Sequence, residues 1–451
     1  MLRNELVQIK TELPGPKSKE VLDKRKKVIP SAVGTDTPAV INRGEGAMVE
    51  DLDGNIFMDW VGGIGVLNVG YSHPEVVKAV KEQVEKFFHT QINVITYKPY
   101  IDLAEKMNRI VPVKGDEKQT FFVNSGSECL ENAVKAARAF TKRNEIVTFT
   151  NGFHGRTYFT LAMTSKVRPY KSGLGVLPGS SHKCELPYIY RRPKGMTEEE
   201  GLNYYIEKLR MFFKDTVPAE DVAAIVIEPV VGEGGFIPIP IEYVKELRKI
   251  CDENGILLVA DEVQCGFCRT GRMFASEYWA EAGAAPDIIT SAKSIAAGMP
   301  ISAVTARKEI MDALQPGAVG GTYGGNPVAA ASALKVIEIY ERDNLAGRAM
   351  EINEICTARF EKWKAKYQML GDTRGLGAML GIEFVKDRET KEPAAEENQA
   401  IIAECLQNGL IVQEAGLREN SIRFLMPLVL TDEQLNNGLD ILEKAMDHNI
   451  K

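Results

Sequence analysis

Short apolar runs alternate with segments of helical periodicity through the middle of the chain. Apolar side chains recur at helical spacing around Val134, Ala137 and Phe140, and again over residues 242–254. Strands that alternate with helices in this way form a sheet covered by helices. We therefore predict an α/β domain with a mostly parallel sheet, whose buried strands are residues 119–123, 146–149, 223–227, 256–260 and 287–291.

The segment before this alternation has other patterns. Residues 1–35 are polar and charged, which predicts a surface arm. A hairpin with an Asp-Gly turn is predicted at residues 47–59. The stretch 62–68 is too rich in glycine for regular structure, and a helix is predicted to begin at Pro74.

Loops and a smaller domain are predicted further along the chain. Residues 168–200 are rich in glycine, proline and polar side chains, which predicts a long loop. The glycine-rich loop 320–327 precedes a predicted helix over 328–342. The remainder alternates helices with short strands at 379–384 and 422–425, which predicts a second, smaller α+β domain.

Polar or aromatic side chains lie just beyond the predicted strands. Ligands of parallel α/β sheets bind at the carboxyl ends of the strands. We therefore expect a ligand site near Ser125, Phe153, Glu228, Asp261 and Lys293.

Two of these residues suggest a particular cofactor. Lys293 follows Asp261 by 32 residues, and each comes at the end of a predicted central strand. A desolvated lysine near a carboxylate can bind an aldehyde carbon, and the acid can keep a pyridine nitrogen protonated. This pair suits pyridoxal phosphate. Taken singly, a surface lysine and a capping aspartate are the better explanations of the two residues. Their occurrence together at strand ends, with a phosphate site elsewhere in the chain, favours the cofactor instead.

A strand, a turn of small residues and a helix follow one another around residues 124–128. This arrangement presents backbone N–H groups to a phosphate, although helix capping alone explains such a turn. A nucleotide-binding protein with a structural lysine is the alternative. That alternative predicts a G-x-G-x-x-G after the first strand, and the sequence has none there.

Composition limits the classes of partner. The chain has 451 residues, 44% hydrophobic and 26% charged, with a formal net charge of −7, which argues against nucleic acid as the main partner. No apolar run reaches membrane-spanning length, and the first residues do not resemble a signal peptide. Seven cysteines in so long a chain favour a reducing compartment, so we predict a cytoplasmic protein.

Cys265 and Cys268 form a C-x-x-C pair. Half of a metal site or a redox pair is one interpretation, and two small residues in a loop are the other. No second C-x-x-C accompanies them, so the loop interpretation is favoured and no metal is predicted.

An ordered set of motifs along nearly the whole chain resembles the class III (omega) aminotransferases, which are pyridoxal phosphate enzymes of fold type I. Segments 62–68 and 153–157 are most similar to the 4-aminobutyrate aminotransferases. The loop from Cys265 to Cys268 and a slightly longer segment at 277–285 depart from the pattern. The motifs are Asn124–Glu128, Phe153–Arg156, Glu228–Val230 with Gly232–Gly235, Asp261–Gln264, Ala292–Ser294 and Gly321–Pro327.

The resemblance implies a set of cofactor contacts. Lys293 would bind the cofactor and shuttle a proton, and Asp261 would pair with the ring nitrogen. Thr322 would bind the phosphate of the neighbouring subunit, which implies a homodimer with shared active sites. The other implied contacts are Gly126 and Ser127 to the phosphate, Phe153 and Val263 to the two ring faces, and Gln264 to the ring hydroxyl.

The resemblance also implies the substrate site. Ile64 would line it, and Arg156 would hold the remote carboxylate of an omega-amino acid. Arg423 would hold the carboxylate next to the reacting carbon of the oxo acid. Glu233 would pair with Arg423 while the amino donor is bound, although an ordinary structural ion pair is the alternative.

The implied reaction is transamination of an omega-amino acid, with 4-aminobutyrate favoured and 2-oxoglutarate as acceptor. An enzyme acting on ornithine or acetylornithine, or an amino-acid racemase or epimerase, remains the alternative. We expect an arm and part of the small domain in residues 1–75, a large cofactor-binding domain in 76–330 and a C-terminal small domain in 331–451.

Overall fold

The computed structural model describes residues 1–450. Short 3-10 helices occupy Leu2–Asn4, Ile189–Arg191, Ala219–Asp221 and Lys293–Ala296. The α-helices are α1 Pro16–Val28, α2 Gly62–Gly65, α3 Pro74–Lys86, α4 Lys98–Ile110, α5 Gly126–Thr141, α6 Tyr158–Met163, α7 Glu198–Asp215, α8 Ile241–Asn254, α9 Ser276–Glu281, α10 Lys308–Asp312, α11 Pro327–Arg342, α12 Leu345–Lys366, α13 Ala395–Gln407 and α14 Asp432–Asn449. The strands are β1 Ile41–Glu45, β2 Met48–Asp51, β3 Ile56–Asp59, β4 Lys118–Val123, β5 Glu145–Phe149, β6 Ser181–Cys184, β7 Val222–Ile227, β8 Val230–Val231, β9 Ile237–Pro238, β10 Leu257–Asp261, β11 Ile288–Ser291, β12 Ser302–Arg307, β13 Leu370–Leu376, β14 Met379–Phe384, β15 Leu410–Ile411, β16 Gln413–Ala415 and β17 Ser421–Phe424.

A seven-stranded sheet forms the centre of the molecule, with the order β4-β12-β11-β10-β7-β5-β6. Only β12 runs antiparallel to its two neighbours, so the prediction of a mostly parallel sheet is confirmed. Along β10, Leu258 and Ala260 face one apolar core, and Leu257 and Val259 face the other. Helix α5 packs on the second face and α8 on the first, which explains why the strand is apolar throughout.

The two edges of this sheet differ from the sequence prediction. Residues 168–200 were expected to form one loop, but β6 lies within them and pairs in parallel with β5. β6 has the sequence Ser-His-Lys-Cys, and such a short polar edge strand carries no apolar signal. β4 was expected to be buried, yet Gln119 is exposed and Lys118, Thr120 and Phe121 are partly exposed, because β4 forms the opposite edge.

Two smaller sheets accompany the large one. Strands β13, β14, β17 and β16 form an antiparallel sheet from the C-terminal part of the chain. The predicted hairpin is confirmed as β2 and β3, and β15 pairs in parallel with β3 through Leu410 opposite Met58. Segments near both ends of the chain therefore share one sheet.

The N-terminal arm contains α1, a helix that the polar pattern did not reveal. Asp53, in the turn of the β2–β3 hairpin, accepts hydrogen bonds from the backbone N–H groups of Lys17 and Ser18, each at 2.8 Å. A carboxylate from a distant turn thus caps this helix. Within residues 1–450, no helix combines the length and apolar character needed to cross a membrane.

Candidate active site

A cavity of about 630 Å³ opens at the carboxyl ends of the central strands. Polar residues that end or follow β4, β5, β7, β10 and β11 line it, as the strand-end argument predicted. Most of the predicted site residues lie together on its wall: Ile64, Gly126, Ser127, Phe153, Arg156, Glu233, Asp261, Val263, Gln264, Lys293 and Arg423.

Lys293 lies just beyond β11, at the first residue of a 3-10 turn, with a backbone φ of 45°. A positive φ in a lysine is uncommon and is typical of functional sites. Burial lowers the pKa of its amine, and the charge of Arg423 lowers this pKa further. Within residues 1–450 the amine has no hydrogen-bond or ion-pair partner, so it is free to act as a nucleophile or base.

Asp261 is the last residue of β10 and is buried. Its Oδ2 atom lies 2.8 Å from Nδ1 of His154, and its Oδ1 atom accepts the N–H of Val263 at 3.1 Å. These contacts orient the carboxylate toward the cavity side of the strand end. Sequence reasoning did not assign a role to His154, although its position beside Phe153 in the Phe153–Arg156 motif was the available signal.

Glu228, which follows β7, links two loops by accepting a backbone hydrogen bond from each. One carboxylate oxygen accepts the N–H of Phe153 at 2.9 Å, and the other accepts the N–H of Gly232 at 2.9 Å. Burial raises the pKa of Glu228 to about 7, with His154 opposing this and Asp261 adding to it. The sequence predicted that Glu228 lies at a strand end but suggested no role for it. Both of its hydrogen-bond partners are backbone N–H groups, which leave no signal in the side-chain sequence.

The N-terminus of α5 forms one wall of the cavity. The side chain of Ser125 caps the helix by accepting the N–H of Glu128, and the first helical N–H groups, of Gly126 and Ser127, need partners outside the helix. A Cβ atom on Gly126 would lie 3.0 Å from Cγ1 of Val263, so only glycine leaves this wall undistorted. The hydroxyl of Ser127 also accepts the N–H of Arg156 at 3.1 Å.

Gln264 packs against the loop that carries Glu233. A Cβ atom on Gly232 would collide with the amide oxygen of Gln264, so the glycine permits the close approach of the loop. Val263 and Gln264 follow Glu262 just beyond the end of β10, and both side chains line the cavity.

Glu233 and Arg423 form an ion pair at the cavity wall. Nη1 of Arg423 donates to Oε2 of Glu233 at 3.0 Å, and Nη2 donates to Gln413 at 2.6 Å. The side chain of Arg423 is 5% exposed and that of Glu233 is 20% exposed. Tyr170 donates its hydroxyl to the other oxygen of Glu233 at 3.0 Å. Sequence reasoning missed Tyr170 and Gln413 because neither lies in one of the motifs.

Ile64 lies in a short glycine-rich turn above the cavity, with a φ of 65° that is strained for a β-branched side chain. The buried Asp59 holds the start of this turn, because its Oδ1 atom accepts the N–H groups of Val61 and Gly62 at 2.7 and 3.0 Å. Its other oxygen accepts the hydroxyl of Tyr71. The four residues of α2 form helical hydrogen bonds, but the positive φ angles within them keep the turn irregular, as the glycine content predicted.

Thr322 does not join the other predicted residues. It lies in an exposed loop before α11 and is not part of the cavity wall of its own chain. This position is compatible with the expectation that Thr322 acts in a neighbouring subunit.

Cys265 and Cys268 are both free and buried. Sγ of Cys265 donates to the carbonyl oxygen of Val230 at 3.2 Å, and burial raises the pKa of both thiols. Within residues 1–450, no group of three or more histidine, cysteine or carboxylate side chains is arranged to hold a metal ion.

The residues on the cavity wall fit pyridoxal phosphate. The N–H groups at the start of α5 suit a phosphate, and the glycine there keeps the approach open. The unpartnered amine of Lys293 suits an aldehyde carbon, and the carboxylate of Asp261 suits a protonated ring nitrogen.

Comparison with known proteins agrees with this geometry. The family model "Aminotransferase class-III" matches residues 30–446. The probable 4-aminobutyrate aminotransferase of Bacillus subtilis is 47% identical over 94% of this chain and 96% of its own. The 5-aminovalerate aminotransferase of Pseudomonas aeruginosa is 43% identical over 95% and 98%. The structure of an amine transaminase from an uncultivated Pseudomonas species, in its pyridoxal phosphate-bound form, matches with a TM-score of 0.84 at 29% identity, covering 98% of this chain and 99% of that one. The chain therefore belongs to the class III aminotransferases, a family of pyridoxal phosphate-dependent enzymes of fold type I.

Proposed function

We propose that the enzyme transfers the amino group of 4-aminobutyrate to 2-oxoglutarate, giving the semialdehyde and glutamate. The observation that carries this proposal is the ion pair between Glu233 and Arg423 in the same cavity as Lys293 and Asp261. The relatives named for 4-aminobutyrate support it.

The two substrates differ in their carboxylates. 4-Aminobutyrate has one carboxylate, remote from the amine, whereas 2-oxoglutarate has a second one beside the reacting carbon. Arg156 binds the remote carboxylate of either substrate through two parallel hydrogen bonds. Arg423 stays paired with Glu233 while the amino donor is bound, and it turns to the second carboxylate of the acceptor. The pairing prevents an uncompensated charge in a dry cavity.

Pyridoxal phosphate, when bound, supplies an aldehyde and an electron-withdrawing ring. In our proposal Lys293 would hold the aldehyde carbon of the cofactor. Its amine, freed once the substrate amine takes its place at that carbon, would carry the proton from the carbon that bears the amino group. Asp261, held by His154, would keep the ring nitrogen protonated. Gly126 and Ser127 would bind the phosphate, Phe153 and Val263 would contact the ring faces, Gln264 would meet the ring hydroxyl, and Ile64 would contact the substrate chain.

Single-turnover reactions of the holoenzyme test the exchange of Arg423, with the visible absorbance following each half-reaction. We expect Glu233→Ala to slow the 4-aminobutyrate half-reaction at least about tenfold more than the glutamate one, and Arg423→Ala to do the opposite. Glu281→Ala is the control, because Glu281 lies 3.1 Å from Arg272 in an exposed ion pair outside the cavity and should leave both rates unchanged. Equal losses in both half-reactions for either active-site variant would refute the exchange.

5-Aminovalerate is the second candidate donor, because a relative named for it is 43% identical to this chain. Its amine and carboxylate are one methylene further apart. Comparison of kcat/KM for the two donors, with ornithine and acetylornithine in the same panel, separates these substrates. Racemisation of an amino acid without any oxo acid would point to the remaining alternative.

We also propose a homodimer with shared active sites. Apolar side chains cluster on the surface near Thr322: Phe88, Val94, Ile95 and Tyr323 are 69, 78, 63 and 64% exposed. The two segments are linked, since Asn326 donates to the carbonyl oxygen of Phe88 at 3.2 Å. An exposed apolar cluster of this kind is typical of an interface. In a second copy of this chain, Thr322 would reach the phosphate of its neighbour.

Two further proposals concern organisation and location. We propose that residues 1–75 form an arm and part of the small domain, 76–330 the large domain and 331–451 the rest of the small domain. The pairing of β15 with β3 supports this division. A cytoplasmic location is proposed because all seven cysteines are free, as expected in a reducing compartment. Limited proteolysis and cell fractionation test these two proposals.

A further inference from the structure

Tyr170 contacts the side of the Glu233 carboxylate that Arg423 leaves free. Its hydroxyl donates to Oε1 at 3.0 Å, while Arg423 donates to Oε2 at 3.0 Å. Within residues 1–450, these two residues are the side-chain donors to the carboxylate. The ring of Tyr170 packs edge-on against Phe153, with the ring centroids 5.3 Å apart, so the hydroxyl has a fixed position.

We propose that Tyr170 is a positioning residue that stabilises the carboxylate of Glu233 whenever Arg423 leaves it for a substrate carboxylate. This inference rests on the proposed exchange of Arg423 between Glu233 and the substrate. Burial raises the pKa of Tyr170 to about 12, and the neighbouring Glu233 contributes to this rise. The hydroxyl therefore keeps its proton at neutral pH and remains a donor.

The hydrogen bond from Tyr170 stabilises the Glu233 carboxylate less while Arg423 is paired with it than after Arg423 has moved away. While Arg423 is paired with Glu233, the guanidinium compensates the carboxylate, and one neutral donor adds little. After Arg423 has moved, Tyr170 is the remaining side-chain donor to a carboxylate that is only 20% exposed. A poorly solvated carboxylate without a donor is unfavourable. Removal of the hydroxyl therefore favours the ion pair and opposes binding of a second substrate carboxylate.

Binding of two unreactive acids to the holoenzyme tests this role without turnover. Glutarate has two carboxylates and requires Arg423 to move, whereas pentanoate has one and does not. We expect Tyr170→Phe to raise the Kd of glutarate about tenfold by calorimetry and to change that of pentanoate less than about twofold. In steady-state assays the KM for 2-oxoglutarate should rise by a similar factor, while kcat at saturating acceptor stays within about twofold.

Tyr158→Phe is the matched control for general loosening of the same loop. The hydroxyl of Tyr158 donates to the carbonyl oxygen of Leu174 at 3.1 Å, only four residues beyond Tyr170, and the Tyr158 side chain is exposed. Tyr158→Phe should leave the dissociation constants of glutarate and pentanoate unchanged. If both variants weaken glutarate and pentanoate alike, Tyr170 merely supports the loop and the proposal is overturned.

A double-mutant cycle isolates the contact with Glu233. In a Glu233→Ala background, Tyr170→Phe should no longer affect glutarate binding, and a persistent tenfold effect would contradict the proposal. Arg423→Ala separates the proposed exchange of Arg423 from the proposed role of Tyr170. If it weakens both acids equally, the exchange of Arg423 itself is refuted; if it weakens glutarate selectively while Tyr170→Phe does not, only the role of Tyr170 is refuted.

Discussion

At the scale of single residues, the proposed reaction depends on the amine of Lys293. Lys293→Ala removes the group that we propose to bind the aldehyde carbon and to carry the proton, so we expect loss of the near-visible absorbance band and at least about a 100-fold fall in transamination. An absorbance spectrum and a single-turnover assay measure the two effects.

Lys183 provides the control for this experiment. Burial also lowers its pKa, to about 8, but it lies outside the cavity and donates to the carbonyl oxygen of Ala162. Lys183→Ala should keep the absorbance band. An unchanged band in Lys293→Ala would show that another residue binds the cofactor.

At the scale of elements, the carboxylate of Asp59 accepts the N–H groups at the start of the turn that carries Ile64. Asp59→Ala leaves the N–H groups of Val61 and Gly62 without their acceptor in a buried position. We expect a loss of about 2–4 kcal/mol in the free energy of unfolding and a raised KM for the amino donor. Asp59→Asn retains an acceptor oxygen and should lose less by both measures. Equal effects from the two substitutions would mean that the charge of Asp59, rather than its acceptor oxygen, holds the turn.

The contact between the end of β10 and the start of α9 should make the stability of the protein depend on pH. Glu262, directly after β10, accepts the N–H groups of Ala275 and Ser276 at the start of α9. Burial raises its pKa from an ordinary 4.5 to about 7. The folded state thus binds the proton more tightly than the unfolded state, and the resulting stability is present below pH 4.5 and lost as the pH rises through 7.

The side chain in Glu262→Gln does not titrate, so the stability of this variant should lack the pH dependence that Glu262 contributes. Between pH 4.5 and 7, the unfolding free energy of the natural protein should fall by about 3 kcal/mol relative to that of Glu262→Gln. Urea unfolding at several pH values measures the difference. Other titrating groups are common to both proteins and cancel, so parallel pH profiles would contradict the prediction.

At the scale of the whole molecule, the exposed apolar cluster near Thr322 predicts the assembly state. A charge introduced by Val94→Glu should dissociate the proposed dimer and abolish activity, because in that dimer each site would lose the partner's copy of the 320–327 loop. Met211 is 44% exposed on α7, within another part of the surface, and Met211→Glu should remain dimeric. Analytical ultracentrifugation with an activity assay measures this; a fully active monomer would refute the shared site.

Much of the fold and the candidate site was predictable because the signals are local. The apolar strands, the residues that follow them and the small residues at the start of α5 all appear as short patterns. Lys293 and Asp261 were identified in the same way, from their positions at strand ends. His154, Tyr170 and Gln413 were not, because each acts through a partner 10 or more residues away: Asp261, Glu233 and Arg423.

The sequence by itself determined the α/β class, the mostly parallel sheet and the location of the site at the carboxyl ends of the strands. These features depend on periodicity and on which residues follow each strand. Only the tertiary structure decided which strands form the edges, that Asp53 caps α1, and that segments near both ends share a sheet. The family resemblance implied that Glu233 and Arg423 pair, and the structure brings these two residues, 190 positions apart, within 3.0 Å, but no local pattern predicts that contact. Such contacts depend on how separate elements pack, and the energy of packing is not encoded in any one segment.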